Sequence, residues 1–156
     1  MKRFKFSLDK VLSYDEYVKK RETDVLGRLQ TEYRAIEARR DAAVQEDRAV
    51  KRQFLLDCER GQTAAKAVAT ARYIEELKRR IEDINVQLTR QAEKVEAQRQ
   101  KLIQAARDVQ VIENLRDRRY KGYQAAQVKY NERFIEGFVS NRIARDAEEV
   151  THGIEG

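Results

Sequence analysis

The chain has 156 residues, no proline, no tryptophan and six glycines, and 38% of it is charged. So polar a sequence with so little turn chemistry argues against a sheet-based globule and for long helices whose burial is a stripe. The 33 Lys and Arg exceed the 27 Asp and Glu by six, but the signs are mixed along the chain, which argues against a nucleic-acid groove over most of its length.

The single cysteine, Cys58, excludes an internal disulfide and suits a reducing compartment. No apolar run approaches the ~20 residues of a membrane span. The start, Met1-Lys2-Arg3-Phe4-Lys5-Phe6, is basic but lacks the apolar stretch of a signal peptide. The expected location is the cytoplasm.

Residues 1–7 form a short lead-in, in which Phe4, Phe6 and Leu8 alternate with Lys5 and Ser7 and no second strand follows to pair with them. Ser7 is the expected N-cap of a first helix running from about 8 to 58. Leu8, Val11, Leu12, Val18, Val25, Leu26, Leu29, Tyr33, Ile36, Ala43, Val50 and Phe54 fall on or beside one face of it. Asp15, Glu22 and Arg40 interrupt that face, and Gly27 inside it costs about 1 kcal/mol relative to alanine. A turn is expected at about 59–63, where Gly61 suits a left-handed helix stop and Thr63 a new cap.

The second helix is predicted from about 64 to 145, and its pattern is cleaner. Ile74, Ile81, Leu88, Val95, Leu102 and Val109 repeat in sevens, as do Leu77, Ile84, Gln91, Gln98, Ala105 and Ile112. These are the a and d positions of a heptad repeat, and a seam so narrow needs a partner helix. A hairpin about Gly61 sets residue i opposite residue 122 − i. On that rule the clean seam, which ends at Ile112 before Arg116 and Arg119, fails where the first helix runs out of residues. The two patterns agree on an intramolecular antiparallel hairpin; a parallel homodimer is the alternative. The fold expected is therefore all-α: one hairpin over 1–146, paired for roughly 50 residues or ~75 Å, with a longer second helix and a loose tail at 147–156.

Catalysis needs convergent groups in a sheltered pocket, and two helices offer none. The lone histidine, His152, lies in the expected tail, and no Gly-rich phosphate loop or zinc-ligand spacing occurs. No enzyme activity, cofactor or metal is expected. Three surfaces remain. Phe54, Leu55 and Leu56 are consecutive at the turn, with Tyr73 near them; they either pack locally, with Cys58 as a small core filler, or form a docking knob. Phe4 and Phe6 either fold back onto Val109, Ile112 or Leu115 or grip a partner. Residues 116–133 carry six cations, with Tyr120, Tyr123 and Tyr130 interleaved and Phe134 just beyond. Such an arm suits phosphate contacts and base stacking, the bore of an acidic protein ring, or an ordinary helix surface.

The run Phe4-x-Phe6-x-Leu8-x-x-Val11-Leu12 before a long charged hairpin resembles the flagellar export protein family FliJ. Leu115-x-x-x-Arg119-x-x-x-Tyr123 and the weaker Gln127 with Asn131-Glu132 resemble two further elements of that family. Ala126, Val128 and Lys129 depart from its acidic and lysine residues there, and Phe138-Val139-Ser140 continues where many members end. The resemblance implies a coiled-coil stalk of the flagellar type III export apparatus, peripheral at the inner membrane face. Its implied partners are the hexameric export ATPase, whose assembly and activity it promotes, the cytoplasmic domain of the export gate, and export chaperones. Carried onto this sequence, the ATPase-facing set is Phe4, Phe6, Leu8, Val11, Leu12, Arg116, Arg119, Tyr120 and Tyr123. Phe54, Leu55, Leu56 and Tyr73 are the expected gate-facing set. The equivalent stalk of an injectisome is the nearest alternative, and a nucleic-acid-binding or purely structural coiled coil lies further off.

Overall fold

The computed structural model describes residues 3–152 and, among them, two α-helices and no strand. Helix α1 spans Asp9–Arg60 and α2 spans Ala64–His152. They form an antiparallel hairpin in which the second helix is the longer. The chain divides into two compact units, one of residues 16–107 and one of 3–15 with 108–152.

The unit of residues 16–107 contains the turn. Gly61 takes φ +83°, the left-handed conformation that ends a helix, and its amide donates to the Cys58 carbonyl at 3.3 Å. Thr63 then caps α2: its Oγ1 accepts from the Lys66 amide at 3.3 Å and its carbonyl from the Ala67 amide at 3.1 Å. An ion pair between Lys66 and Asp57, 3.1 Å apart, ties the two helix ends together.

Along α2 the heptad positions are the buried ones. Leu77, Ile84, Leu88 and Ala105 are buried, and Ile74, Ile81, Val95 and Leu102 are half-buried. The facing stripe of α1 is also in sevens: Glu22, Leu29, Ile36, Ala43, Val50 and Asp57 in one row, and Leu26, Tyr33, Arg40, Asp47 and Phe54 in the other, all half-buried or buried. Two residues that interrupt the apolar pattern, Glu22 and Arg40, are thus members of the seam. Arg40 keeps its stem there and carries its guanidinium out to Asp41 at 2.8 Å.

The two polar exceptions on α2 are satisfied across the hairpin. Gln91 Nε2 donates to the Leu29 carbonyl and to Glu32, both at 3.1 Å. Gln98 Nε2 donates to the Glu22 carbonyl at 3.1 Å and to the Glu22 carboxylate. The pairs Glu22–Gln98, Leu29–Gln91 and Glu46–Tyr73 have index totals of 120, 120 and 119, close to the 122 that the hairpin rule requires.

The second unit brings the start of the chain onto the later part of α2. The Leu12 amide donates to the Leu8 carbonyl at 2.9 Å, the first bond of the α1 ladder, so Leu8 occupies the cap position expected of Ser7. Leu12 and Val109 are buried. Beyond Tyr123, every side chain of α2 through residue 148 is exposed. The helix continues through His152, past the end expected near 145, and the last four positions of the expected tail, 153–156, lie outside the described residues.

Candidate functional site

The residues that converge most closely are in the second unit. Phe4 packs edge-on against Tyr120, ring centroids 5.3 Å apart and planes at 70°, and lies 5.5 Å from Tyr123. Tyr120 and Tyr123, three apart on one helix face, stack at 6.4 Å. One turn back, the Arg119 guanidinium sits 5.6 Å over the Phe6 ring and its Nη1 donates to Ser7 Oγ at 2.8 Å. Phe4 and Phe6, two residues apart in the lead-in, thus both meet the stretch of α2 from Arg119 to Tyr123.

The nine residues expected to face an ATPase ring therefore differ in access. Phe6 and Leu12 are buried at 6% and 4% exposure. Phe4, Leu8, Arg116 and Tyr123 are half-buried, and Val11, Arg119 and Tyr120 are exposed. The aromatic start folds back onto α2, but its ring contacts are to Arg119, Tyr120 and Tyr123, not to the expected Val109, Ile112 or Leu115. Ser7, expected as a cap, pairs instead with Arg119. The hairpin rule was the available signal for its true partner, because 7 and 119 total 126.

The expected gate-facing residues lie in the unit of residues 16–107. Leu55 is 65% exposed, Leu56 and Tyr73 are exposed to a smaller extent, and Phe54 is half-buried. A groove of about 400 Å³ beside them is lined by Val50, Phe54, Ala69 and Tyr73 among others. The Tyr73 hydroxyl donates to the Glu46 carboxylate, and this bond holds the phenol protonated above its ordinary range. Cys58 is exposed and is no core filler; its Sγ accepts from Gln62 Nε2 at 3.0 Å. Asp57 is held below the usual carboxylate range, first by a hydrogen bond from Gln53 and then by Lys66.

The arm after Tyr123 presents Tyr130, Phe134 and Phe138 at steps of four, with Ile135, Val139 and Ile143 beside them, all exposed. No described helix is long and apolar enough to cross a membrane, and no His, Cys, Asp or Glu cluster among the described residues is arranged to hold a metal ion.

Comparison with known proteins gives a consistent picture. A protein-family model, that of the flagellar FliJ protein, matches residues 4–148. Among solved structures, CT670 from Chlamydia trachomatis, described as a homolog of YscO, is similar with a TM-score of 0.65 and 18% identity, over 95% of this chain and 97% of that one. At that identity the likeness speaks for the fold. No curated protein sequence matches.

Proposed function

This chain belongs to the FliJ family of flagellar proteins, and from that premise we propose that it is a coiled-coil component of the flagellar type III export apparatus which binds the export ATPase. The observation that carries the reading is the convergence of two separate parts of the family-like pattern. Phe4 and Phe6 from the start of the chain lie on Arg119, Tyr120 and Tyr123 from the middle of α2. Over the buried Phe6, a patch of exposed Arg119 and Tyr120 with half-buried Phe4 and Tyr123 combines aromatic surface with a guanidinium, the chemistry that suits an acidic and partly apolar protein surface.

In this reading the patch docks into the hexameric ATPase and promotes its assembly and turnover, without catalytic chemistry of its own. The turn-proximal residues Leu55, Leu56 and Tyr73 are the contact for the cytoplasmic domain of the export gate, and export chaperones bind the same protein. Its place is the cytoplasm, peripheral at the inner membrane face through these partners. The match to a flagellar family over residues 4–148 favours the flagellar apparatus over an injectisome.

The test is ATP hydrolysis by the cognate export ATPase with and without this protein, beside particle images of the ring. Faster turnover and more rings are expected, both reduced by the double substitution Arg116→Glu and Arg119→Glu. An unchanged rate and ring count with the wild-type protein would remove the ATPase from the proposal. Affinity for nucleic acid falling steeply with salt would instead favour the phosphate-binding alternative.

A further inference from the structure

The geometry points to Phe6 and Ser7 as positioning residues for Arg119: they clamp its guanidinium against the start of the chain and leave its remaining edge for a carboxylate on the partner. The inference deepens the ATPase-binding reading and, in its binding arm, rests on it.

Phe6 is 6% exposed, so it does not meet a partner in the folded chain. Its ring instead lies 5.6 Å below the Arg119 guanidinium carbon, within cation–π range. Ser7 Oγ accepts from Arg119 Nη1 at 2.8 Å. A guanidinium has five N–H donors in a planar fork. Phe6 takes one face and Ser7 one donor. Among the described residues no ion pair neutralises Arg119, and Asp117, two positions away on the helix, points elsewhere on geometric grounds.

An unclamped arginine on a helix surface loses rotamer freedom whenever it binds. The clamp removes much of that loss before the partner arrives. It also fixes the direction of the free edge, which favours bidentate pairing with a carboxylate over a diffuse phosphate contact. The sequence gives each member a second plausible task, Phe6 as core and Ser7 as cap, so only their joint placement on Arg119 reveals the clamp.

The experiment has a partner-free arm and a binding arm, both on the full chain. In the first, side-chain ¹⁵Nε relaxation of Arg119 is measured in the wild type, in Ser7→Ala and in Phe6→Leu, which keeps an apolar side chain in place. An ordered signal in the wild type that becomes mobile in both variants, with melting temperature little changed in Ser7→Ala, is expected. Equal mobility in all three overturns the clamp. In the binding arm, affinity for the export ATPase is measured for Ser7→Ala, Arg119→Ala and the double variant. Ser7→Ala should bind about twofold to tenfold more weakly, from the side-chain ordering that each partner must then supply. That loss should vanish in the Arg119→Ala background; losses that simply add overturn the positioning role. Failure of the ATPase reading looks different. There the wild type itself does not bind, while an ordered Arg119 signal that Ser7→Ala mobilises still supports the clamp.

Discussion

Gly27, expected inside the apolar face of α1, lies instead on its exposed side, and a Cβ built there meets nothing within 4 Å. Its backbone is ordinary helix, so the glycine only adds freedom to the unfolded chain. Gly27→Ala is expected to raise stability by about 0.5–1 kcal/mol, read as a higher thermal midpoint with unchanged helix content. Gly61 is the opposite case. Its neighbourhood is equally open, but φ +83° makes any side chain strained. Asp57 gives a second residue-level prediction. Its carboxylate is depressed by Gln53 and Lys66. A depressed folded pKa contributes stability that is full above the ordinary aspartate range and is lost as pH falls through the folded value. Carboxyl NMR should show Asp57 titrating below a free aspartate, and Gln53→Ala should raise that value. Titration unchanged by the substitution would refute the assigned cause.

At the scale of the helices, what the sequence made legible depended on the kind of residue in the seam. On α2 the sevens are filled mostly by Ile, Leu and Val, and the buried positions follow them directly. On α1 the same sevens pass through Glu22, Arg40 and Asp47, and an apolar count reads them as gaps. They are seam members because their stems pack while their polar ends reach a partner, as Glu22 reaches Gln98. The ring contacts of Phe4 and Phe6 were hidden for another reason. They join residues more than a hundred positions apart, so no local pattern encodes them; only the hairpin rule, with totals of 124 and 125 for Phe4–Tyr120 and Phe6–Arg119, points to that part of α2. Gln91 and Gln98 carry the element-scale prediction. A polar residue in a heptad seam specifies register at a cost in stability. Replacing both with leucine should raise the melting temperature. It should also broaden or multiply the NMR signals of Leu29 and Glu32, as neighbouring alignments become accessible. A single sharp set of signals would show that the turn alone fixes the register.

At the scale of the whole chain, the pairs within each unit have index totals near 122. Pairs in the unit of residues 16–107 total 119 to 126, and Phe4–Tyr120 and Ser7–Arg119 in the other total 124 and 126. Cysteines at Ile36 and Leu88, in a Cys58→Ser background, should therefore crosslink within one chain. Crosslinks found only between chains would mean that the pairing is intermolecular. Family membership over residues 4–148 covers both units.

The same rule orders the contacts in time. The Tyr73–Glu46 bond joins residues 27 apart, Gln91–Leu29 62 apart, and Arg119–Ser7 112 apart. Each doubling of a loop adds about 0.6 kcal/mol of closure entropy, so the Arg119 contact is about 1.2 kcal/mol harder to close from an open chain than the one at Tyr73. On a ribosome the interval is literal. Phe4 emerges well over a hundred residues before Tyr120 and Tyr123, which at roughly 5–20 residues per second is on the order of ten seconds. Throughout that interval the newborn chain carries two uncovered phenylalanines, available to any chaperone that reads an apolar start.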